Sequence, residues 1–204
     1  LAKYYEDGAK FCKWRAVITI GKDIPSEGCI ESNMNSLARY ASLCQENNLV
    51  PIVEPEVLIN GPHSIEDCDK VTRTTLHSLF RNLEMLNVYL PGTVLKPSMV
   101  ISGEDNSSRA DKDKVANMTI DCLKDCVPND TSGIAFLSGG QTDCEAEEHL
   151  NIMNKNHNLP WRVTFSYARA IQAAALATWL GKDENLIKSQ SILIERASRC
   201  SRAS

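Results

Sequence analysis

Several signatures of other protein classes are missing from this 204-residue sequence. Its eight cysteines include no C-x-x-C pair, the usual spacing of a zinc or redox site. No apolar run reaches the roughly 18 residues of a membrane span, and the first residues lack the pattern of a signal peptide. The basic residues are scattered and the net charge is −4, unlike the footprint of a nucleic-acid-binding protein. We therefore expect a cytoplasmic protein with no membrane insertion, no nucleic-acid partner and no metal.

The cysteines and histidines offer few candidates for chemistry. Cys122 and Cys126 are four residues apart, which suits packing on one helix face or half of a metal site, but no His or Cys stands near them at ligand spacing. Free buried thiols are the better interpretation. The histidines fall in loops or helices away from strand ends, so we expect solvated or packing roles rather than general bases; they are His63, His77, His149 and His157.

Strand-like and helical patterns alternate along the chain. Five apolar or β-branched runs have the length of strands, and each is followed by turn residues and a helical stripe. These runs cover 11–18, 50–57, 93–100, 133–137 and 161–165. Ser64, Asp111 and Thr142 are predicted to start helices, the last through a capping box with Glu145. Two further helices are predicted over 171–180 and over 183 to about 197.

This alternation decides the fold class. Strands joined by helices form a parallel sheet through right-handed crossovers, so the fold is α/β. Neither G-x-G-x-x-G nor G-x-x-x-x-G-K-[ST] follows a strand, which weakens the prediction of an open nucleotide-binding sheet. Polar residues at the strand ends favour a (β/α)8 TIM barrel, whose active site is assembled from several strand ends. We expect a single domain over residues 1–204, with about five βα units and a C-terminal helix.

Charged side chains of the first three strands are predicted to meet inside this barrel. Side chains alternate along a strand, so Lys13 and Arg15 share one face, as do Glu54 and Glu56. Lys96 ends an apolar run and precedes a proline, in surroundings that disfavour the ammonium form and leave an amine able to attack a carbonyl. From strand position alone, a purely structural ion pair between this lysine and one of the glutamates is an equal alternative.

Five motifs together carry a family resemblance. They are Phe11-Cys-Lys-Trp-Arg15, Pro51-Ile-Val-Glu-Pro-Glu56, Val94-Leu-Lys-Pro97, Phe136-Leu-Ser-Gly-Gly-Gln141 and Thr164-Phe-Ser-Tyr-Ala-Arg-Ala170. In this order and spacing they resemble class I fructose-1,6-bisphosphate aldolase, from about Lys10 to the final helix. The resemblance implies a glycolytic lyase that cleaves fructose 1,6-bisphosphate to dihydroxyacetone phosphate and glyceraldehyde 3-phosphate, without metal or organic cofactor.

The same resemblance implies catalytic roles for four residues. Lys96 is the Schiff-base lysine that attacks the ketose carbonyl, and Glu54 is the acid/base that removes the carbinolamine hydroxyl as water. Lys13 is the second active-site lysine, a cation beside the developing charge. Glu56 is expected to orient the lysines through ion pairing.

Phosphate binding is assigned to residues of the later strands. Ser138 and Gly139 offer a hydroxyl and a closely approaching backbone, just before a helix begins. Ser166 and Arg169 are implied to hold the same C1 phosphate, and Arg15 matches a substrate-contacting position. The family usually has glycine where this chain has Ala168. We expect that methyl group to weaken phosphate affinity, either by narrowing the backbone approach or through strain if φ is positive.

Part of the family pattern is absent from the sequence. The first three βα units and the C-terminal tail are not found, and the chain opens with Leu1 inside a charged helix end. We expect an incomplete C-terminal part of a longer barrel, inactive by itself. The family implies a homotetramer and association with cytoskeletal proteins. Two other functions stay open: a scaffold or binding role without activity, and another Schiff-base barrel enzyme such as a transaldolase-like transferase.

Overall fold

A five-stranded parallel sheet organises the structure, a computed structural model that describes residues 1–156 and 158–204. The strands pair in chain order, each with the next. They are β1 (Phe11–Ile18), β2 (Val50–Val57), β3 (Val94–Leu95), β4 (Gly133–Phe136) and β5 (Val163–Phe165). Within the described residues, β1 and β5 are the outer strands of the sheet.

Helices connect the strands, as an α/β fold requires. They are α1 (Ala2–Glu6), α2 (Glu27–Glu46), α3 (Ile65–Met85), α4 (Lys112–Cys126), α5 (Asp143–Asn156), α6 (Arg169–Trp179) and α7 (Leu186–Ala203). Short 3-10 turns occupy Leu90–Gly92 and Asp183–Asn185. The predicted fold class is confirmed, and the arrangement fits part of a (β/α)8 barrel. The predicted last helix is longer than expected and begins only after the second 3-10 turn.

The predicted helix starts are confirmed in detail. The Ser64 hydroxyl accepts a hydrogen bond from the Asp67 N–H at 3.0 Å, and the Asp67 carboxylate accepts one from the Ser64 N–H at 3.1 Å. Thr142 and Glu145 make the same reciprocal pair before α5. The Asp111 carboxylate accepts from the backbone of the first turn of α4. Such caps satisfy N–H groups that a helix leaves without partners.

The third strand is much shorter than the predicted run 93–100. Its ladder covers only Val94 and Leu95, although the following residues are buried. Pro97 has no N–H to donate, and beyond it the backbone turns to side chains for hydrogen bonds. The Val100 N–H donates to the Thr119 hydroxyl at 3.0 Å, for example. The Val57 N–H of β2 donates to the Ser98 hydroxyl at 3.1 Å. The segment after Lys96 is therefore held largely by side-chain hydrogen bonds to α4 and β2 rather than by a continued strand ladder.

Side-chain alternation on β1 is as predicted. Trp14 contacts the Tyr40 ring of α2 with centroids 5.5 Å apart, so it lies on the helix side of the sheet. Val53, Leu95 and Phe136 are fully buried.

The cysteines are all free thiols, five of them buried. Among the described residues, no helix combines the length and apolar character needed to cross a bilayer.

Candidate active site

Glu54 lies between two lysines. Its Oε1 is 3.1 Å from Lys96 Nζ, and its Oε2 is 3.0 Å from Lys13 Nζ. The Glu54 side chain is 5% exposed and that of Lys96 is 12% exposed, whereas Lys13 is 44% exposed. A carboxylate in low-dielectric surroundings is held in place by such paired charges. The structure therefore brings together three of the four predicted catalytic residues.

Glu56 has a different partner from the one expected. Arg15, on β1, donates from its Nε to the buried Glu56 carboxylate. Among the described residues, this is the ion pair that Glu56 makes, so the expectation that it pairs with the lysines is wrong. The reason is strand register: Arg15 lies beside Glu54 in the ladder, and Val17 beside Glu56. Each cation of β1 therefore pairs with the carboxylate two residues beyond its register partner on β2. Arg15 pairs with Glu56, and Lys13 pairs with Glu54.

The position of the charged residues along their strands also needs correction. Lys13 and Arg15 belong to the first two thirds of β1, and Glu54 and Glu56 lie inside β2 rather than beyond it. Only Lys96 stands directly after its strand. The cluster forms on one sheet face because side chains two residues apart point the same way. A site assembled purely from the strand ends was therefore too simple a description.

Backbone hydrogen bonds connect the segments that carry Lys96, Ser138 and Ser166. The Lys96 N–H donates to the Val53 carbonyl at 2.8 Å. Leu137 donates to the Pro97 carbonyl at 3.1 Å, and Ser166 donates to the Phe136 carbonyl at 2.8 Å. These bonds align the segments that carry Lys96, Ser138 and Ser166 at one edge of the sheet.

The glycines after Ser138 adopt a conformation that other residues would resist. Gly139 has φ +54° and Gly140 has φ +87°. A Cβ on Gly139 would lie 2.8 Å from Leu137 Cδ1, and one on Gly140 would lie 2.9 Å from Ile59 Cγ2. Positive φ and close packing together favour glycine at both positions. Ser138 itself is buried.

The helix that follows this loop is less suited to an anion than expected. The N-terminus of α5 is occupied by its own capping box, and its first turn contains Asp143 and Glu145. Burial raises the pKa of Glu145, but the hydrogen bonds from Thr142 and the nearby Arg109 and His149 together outweigh it and hold that pKa below its ordinary value, so the carboxylate is charged at neutral pH. Negative charge at this end opposes a second anion.

The N-terminus of α6 offers the opposite environment. No side chain caps it, its first turn has no acidic residue, and Arg169 is its first residue. Ala168, at the N-cap, has φ −102° and ψ −72°. Because φ is negative, the condition for strain is not met, and only the narrowed backbone approach remains as a reason for weaker phosphate affinity. Ser166 and Arg169 are both exposed. The backbone N–H groups at the start of α6 could donate hydrogen bonds to an anion bound between them.

Two residues that sequence reasoning did not connect to the site hold its loops. His149 Nδ1 lies 2.6 Å from Gln141 Oε1, which fixes the end of the glycine loop. Arg196 is buried on α7; it donates to the Ala170 carbonyl at 3.3 Å and lies 3.5 Å from the carboxylates of Asp143 and Glu147. The only available signal was a charged residue on an amphipathic helix, which usually indicates a solvent-facing position.

The other histidines differ in environment. Burial lowers the pKa of His63 and of His149 below the ordinary value. His77 is exposed on α3, and His157 lies outside the described residues. His149 is buried on α5 and hydrogen-bonds to Gln141, so its predicted packing role is compatible with the structure.

Comparison with known proteins identifies the family. All of residues 1–204 match the family described as fructose-bisphosphate aldolase class-I. The chain is 56% identical over 199 residues to "Probable fructose-bisphosphate aldolase class 1" of Xanthomonas campestris, covering 97% of this chain and 59% of that protein. It is 49% identical over 197 residues to fructose-bisphosphate aldolase B of Gallus gallus, covering 96% of this chain and 54% of that protein.

A solved structure gives the same result. The fructose-bisphosphate aldolase of Plasmodium falciparum, solved in complex with TRAP and a small-molecule inhibitor, superposes with a TM-score of 0.97 at 45% identity. The match covers 99% of this chain and 59% of that one. The chain thus spans less than two thirds of the relatives that it matches. On sequence and structure alike, it belongs to the class I fructose-bisphosphate aldolase family.

Proposed function

We propose that this chain supplies the catalytic centre of a lyase that reversibly cleaves fructose 1,6-bisphosphate to dihydroxyacetone phosphate and glyceraldehyde 3-phosphate. The observation that carries the proposal is the single buried carboxylate of Glu54 within 3.1 Å of Lys96 Nζ and 3.0 Å of Lys13 Nζ. A nucleophilic amine needs a neighbouring group that exchanges protons with it, and Glu54 is at the right distance. Family membership supports the choice of substrate.

The proposed reaction proceeds through an iminium ion. The neutral amine of Lys96 attacks the ketose carbonyl carbon and gives a carbinolamine. Glu54 moves a proton to the carbinolamine hydroxyl, which leaves as water. The resulting iminium accepts the electron pair of the C3–C4 bond as that bond breaks, while the C4 hydroxyl gives its proton to the Glu54 carboxylate and the aldehyde product departs. Protonation and hydrolysis of the remaining enamine release dihydroxyacetone phosphate and the free amine of Lys96. Lys13, on the other oxygen of Glu54, keeps a positive charge beside the reacting groups.

Phosphate binding is proposed for the neighbouring strand ends. Ser138 and Gly139 provide a hydroxyl and a closely approaching backbone, while Ser166 and Arg169 stand at the uncapped start of α6. Arginine binds phosphate oxygens through paired N–H donors, and a helix N-terminus favours the negative charge. Arg15 is proposed to contact substrate as well, on the side of the site next to β1.

We also propose that the chain is the C-terminal part of an eight-stranded barrel. It covers 59% of the bacterial relative, and the sheet has β1 and β5 as outer strands. Closure of a barrel requires pairing at both edges, so the 204 residues alone are expected to be inactive. A cytoplasmic homotetramer is proposed from the family; one relative, from Arabidopsis thaliana, is described as cytosolic.

Borohydride trapping tests this function in the protein as its gene encodes it. Incubation with dihydroxyacetone phosphate and borohydride should add a reduced adduct to Lys96, located by peptide mass spectrometry. Lys96→Arg should abolish the adduct, and the exposed Lys188→Arg should not. If the adduct forms on Lys96 but the ketose is cleaved only when an acceptor aldehyde is present, the result would favour a transferase. Absence of an adduct in a folded protein would leave a binding or scaffold role.

A further inference from the structure

A second cluster of reactive side chains lies on the helical layer. His77 of α3 and Asp125 and Cys126 at the end of α4 meet where these two helices pack. The Cys126 sulfur is buried, whereas His77 and Asp125 are 56% and 53% exposed. A small ion therefore has access from solvent to a thiol at the base of the cluster. Sequence reasoning missed it because His77 and Cys126 are 49 residues apart.

The three potential ligand atoms are spaced as three corners of a tetrahedron. Cys126 Sγ lies 3.5 Å from His77 Nε2 and 3.7 Å from Asp125 Oδ2. His77 Nε2 lies 3.4 Å from Asp125 Oδ2. Zinc bonds of about 2.3 Å to sulfur and about 2.0–2.2 Å to nitrogen and oxygen give tetrahedral edges of roughly 3.3–3.6 Å. The observed distances agree with these edges to within a few tenths of an ångström.

Hydrogen bonding alone accounts poorly for this arrangement. An imidazole nitrogen carries either one proton or one lone pair, and it points in the plane of the ring. Nε2 of His77 can therefore make a well-aligned hydrogen bond to Cys126 or to Asp125, but not to both. The 3.4 Å contact of Nε2 with Asp125 Oδ2 is also long for an N–H···O hydrogen bond. An ion at the centre would satisfy all three atoms at once.

Arg73 supports the carboxylate from behind. Its Nη1 donates to Asp125 Oδ2 at 2.8 Å, and its Nε donates to Asp69 at 2.8 Å. A carboxylate oxygen has two lone pairs, so this bond leaves one for a ligand. Outer partners of this kind commonly orient ligating carboxylates. The Arg73 guanidinium is also paired with Asp69. That carboxylate offsets part of the positive charge that Arg73 would present to a bound cation.

We propose that His77, Asp125 and Cys126 form a tetrahedral site for a divalent ion of the zinc type, with water as the fourth ligand. A thiolate and an imidazole select zinc over magnesium or calcium, which prefer oxygen ligands alone. The thiolate and the carboxylate together neutralise the two charges of the ion. The site joins α3 to α4 and takes no part in the lyase reaction. Its ion stabilises the folded protein because binding favours the state in which the ligands meet.

Cobalt substitution tests the proposal in the protein as its gene encodes it. Co(II) added to the metal-free protein should produce a thiolate-to-cobalt charge-transfer band in the near ultraviolet, together with the intense visible bands of tetrahedral cobalt. Added Zn(II) should displace these bands and raise the melting temperature. Cys126→Ser should abolish the near-ultraviolet band, and His77→Gln should weaken Co(II) binding at least tenfold.

Matched controls separate the site from adventitious binding. Asp121→Asn changes an exposed residue one turn earlier on α4, and Cys144→Ser removes an exposed thiol elsewhere. Both should bind Co(II) like the unmodified protein. Because His77 is exposed, its substitution tests the site even if Cys126→Ser does not fold. A folded protein without the thiolate band, or one whose band persists in Cys126→Ser, overturns the proposal.

Discussion

Glu54 Oε1 lies 3.1 Å from Lys96 Nζ, and the Glu54 side chain is almost completely buried. Its second oxygen is paired with Lys13, so one carboxylate is shared between two cations. This arrangement gives Lys96 a direct partner for proton exchange. A carboxylate that served only to neutralise one lysine would not need to contact both. The shared carboxylate is therefore the central element of the proposed chemistry.

Glu54→Gln is expected to lower kcat by about 10²–10⁴-fold, the usual contribution of a general acid/base. The amide has nearly the same shape but cannot take up and return a proton. Steady-state cleavage of fructose 1,6-bisphosphate measures the effect, with borohydride trapping showing slower adduct formation on Lys96. Glu46→Gln, at the exposed end of α2, is the matched control. A normal kcat in Glu54→Gln would assign proton transfer to another group.

Ala168→Gly is expected to lower KM for the phosphorylated substrate. The backbone at Ala168 has φ −102°, so strain is not the reason. The methyl group stands at the uncapped start of α6, where we expect it to narrow the approach of a phosphate to the N–H groups. Steady-state cleavage of fructose 1,6-bisphosphate should give a lower KM for Ala168→Gly, with kcat little changed. If both constants equal those of the unmodified protein, the methyl group does not limit binding.

The sequence predicted those features that depend on neighbouring residues. β1 and β2 were predicted at their observed bounds because their alternation and flanking turns are local signals. The capping residues Ser64, Asp111 and Thr142 were also predicted correctly, since each cap bonds within three residues. The convergence of Lys13 and Arg15 with Glu54 and Glu56 was expected from parity on adjacent strands, although their individual pairing was not.

Features set by distant contacts could not be read in this way. The third strand ends after Leu95 because Pro97 has no N–H to donate, and beyond it the Val100 N–H donates to the Thr119 hydroxyl of α4 instead of to a strand. Arg15 reaches Glu56 through the strand register, which no local pattern reveals. Arg196 was missed for the same reason, because its partners lie on α5 and α6. Each case requires knowledge of which elements pack together.

Arg196→Met is expected to lower the free energy of unfolding by about 1–3 kcal/mol, because it removes the hydrogen bond to the Ala170 carbonyl and the cation beside the partly buried carboxylates of Asp143 and Glu147. The side chain of Arg196 is 9% exposed and contacts Asp143, Glu147 and the Ala170 carbonyl. Denaturant unfolding measures the loss. Arg202→Met, on an exposed position of the same helix, should change stability by no more than about 0.5 kcal/mol.

Arg196 also connects the two proposed phosphate loops, so its loss should be visible in kinetics. α5 follows the glycine loop, and Ala170 follows Arg169. In any Arg196→Met protein that remains folded, KM for fructose 1,6-bisphosphate should rise more than kcat falls, and Arg196→Lys should partly restore KM. Equal kinetic constants in a destabilised but folded variant would limit Arg196 to a role in stability.

Stability is expected to fall as the pH decreases from 7 to 5. Burial lowers the pKa of His149, and the nearby charges of Glu145, Glu148, Arg109 and Lys112 do not reverse that shift. The unfolded chain takes up protons as the pH falls through about 6.5, while the folded chain keeps this imidazole neutral. The unfolded state then binds more protons, so the free energy of unfolding decreases.

His149→Gln should reduce the slope of this pH dependence, because glutamine does not titrate. Urea unfolding at several pH values between 5 and 7, at constant ionic strength, measures the slope directly. Burial also lowers the pKa of His63, so His63→Gln should remove a further part, and the double variant should have the flattest profile. Carboxyl groups with lowered pKa, such as Glu145, lose their contribution only at lower pH. A double variant with the original slope between pH 5 and 7 would mean that neither histidine is kept neutral by folding.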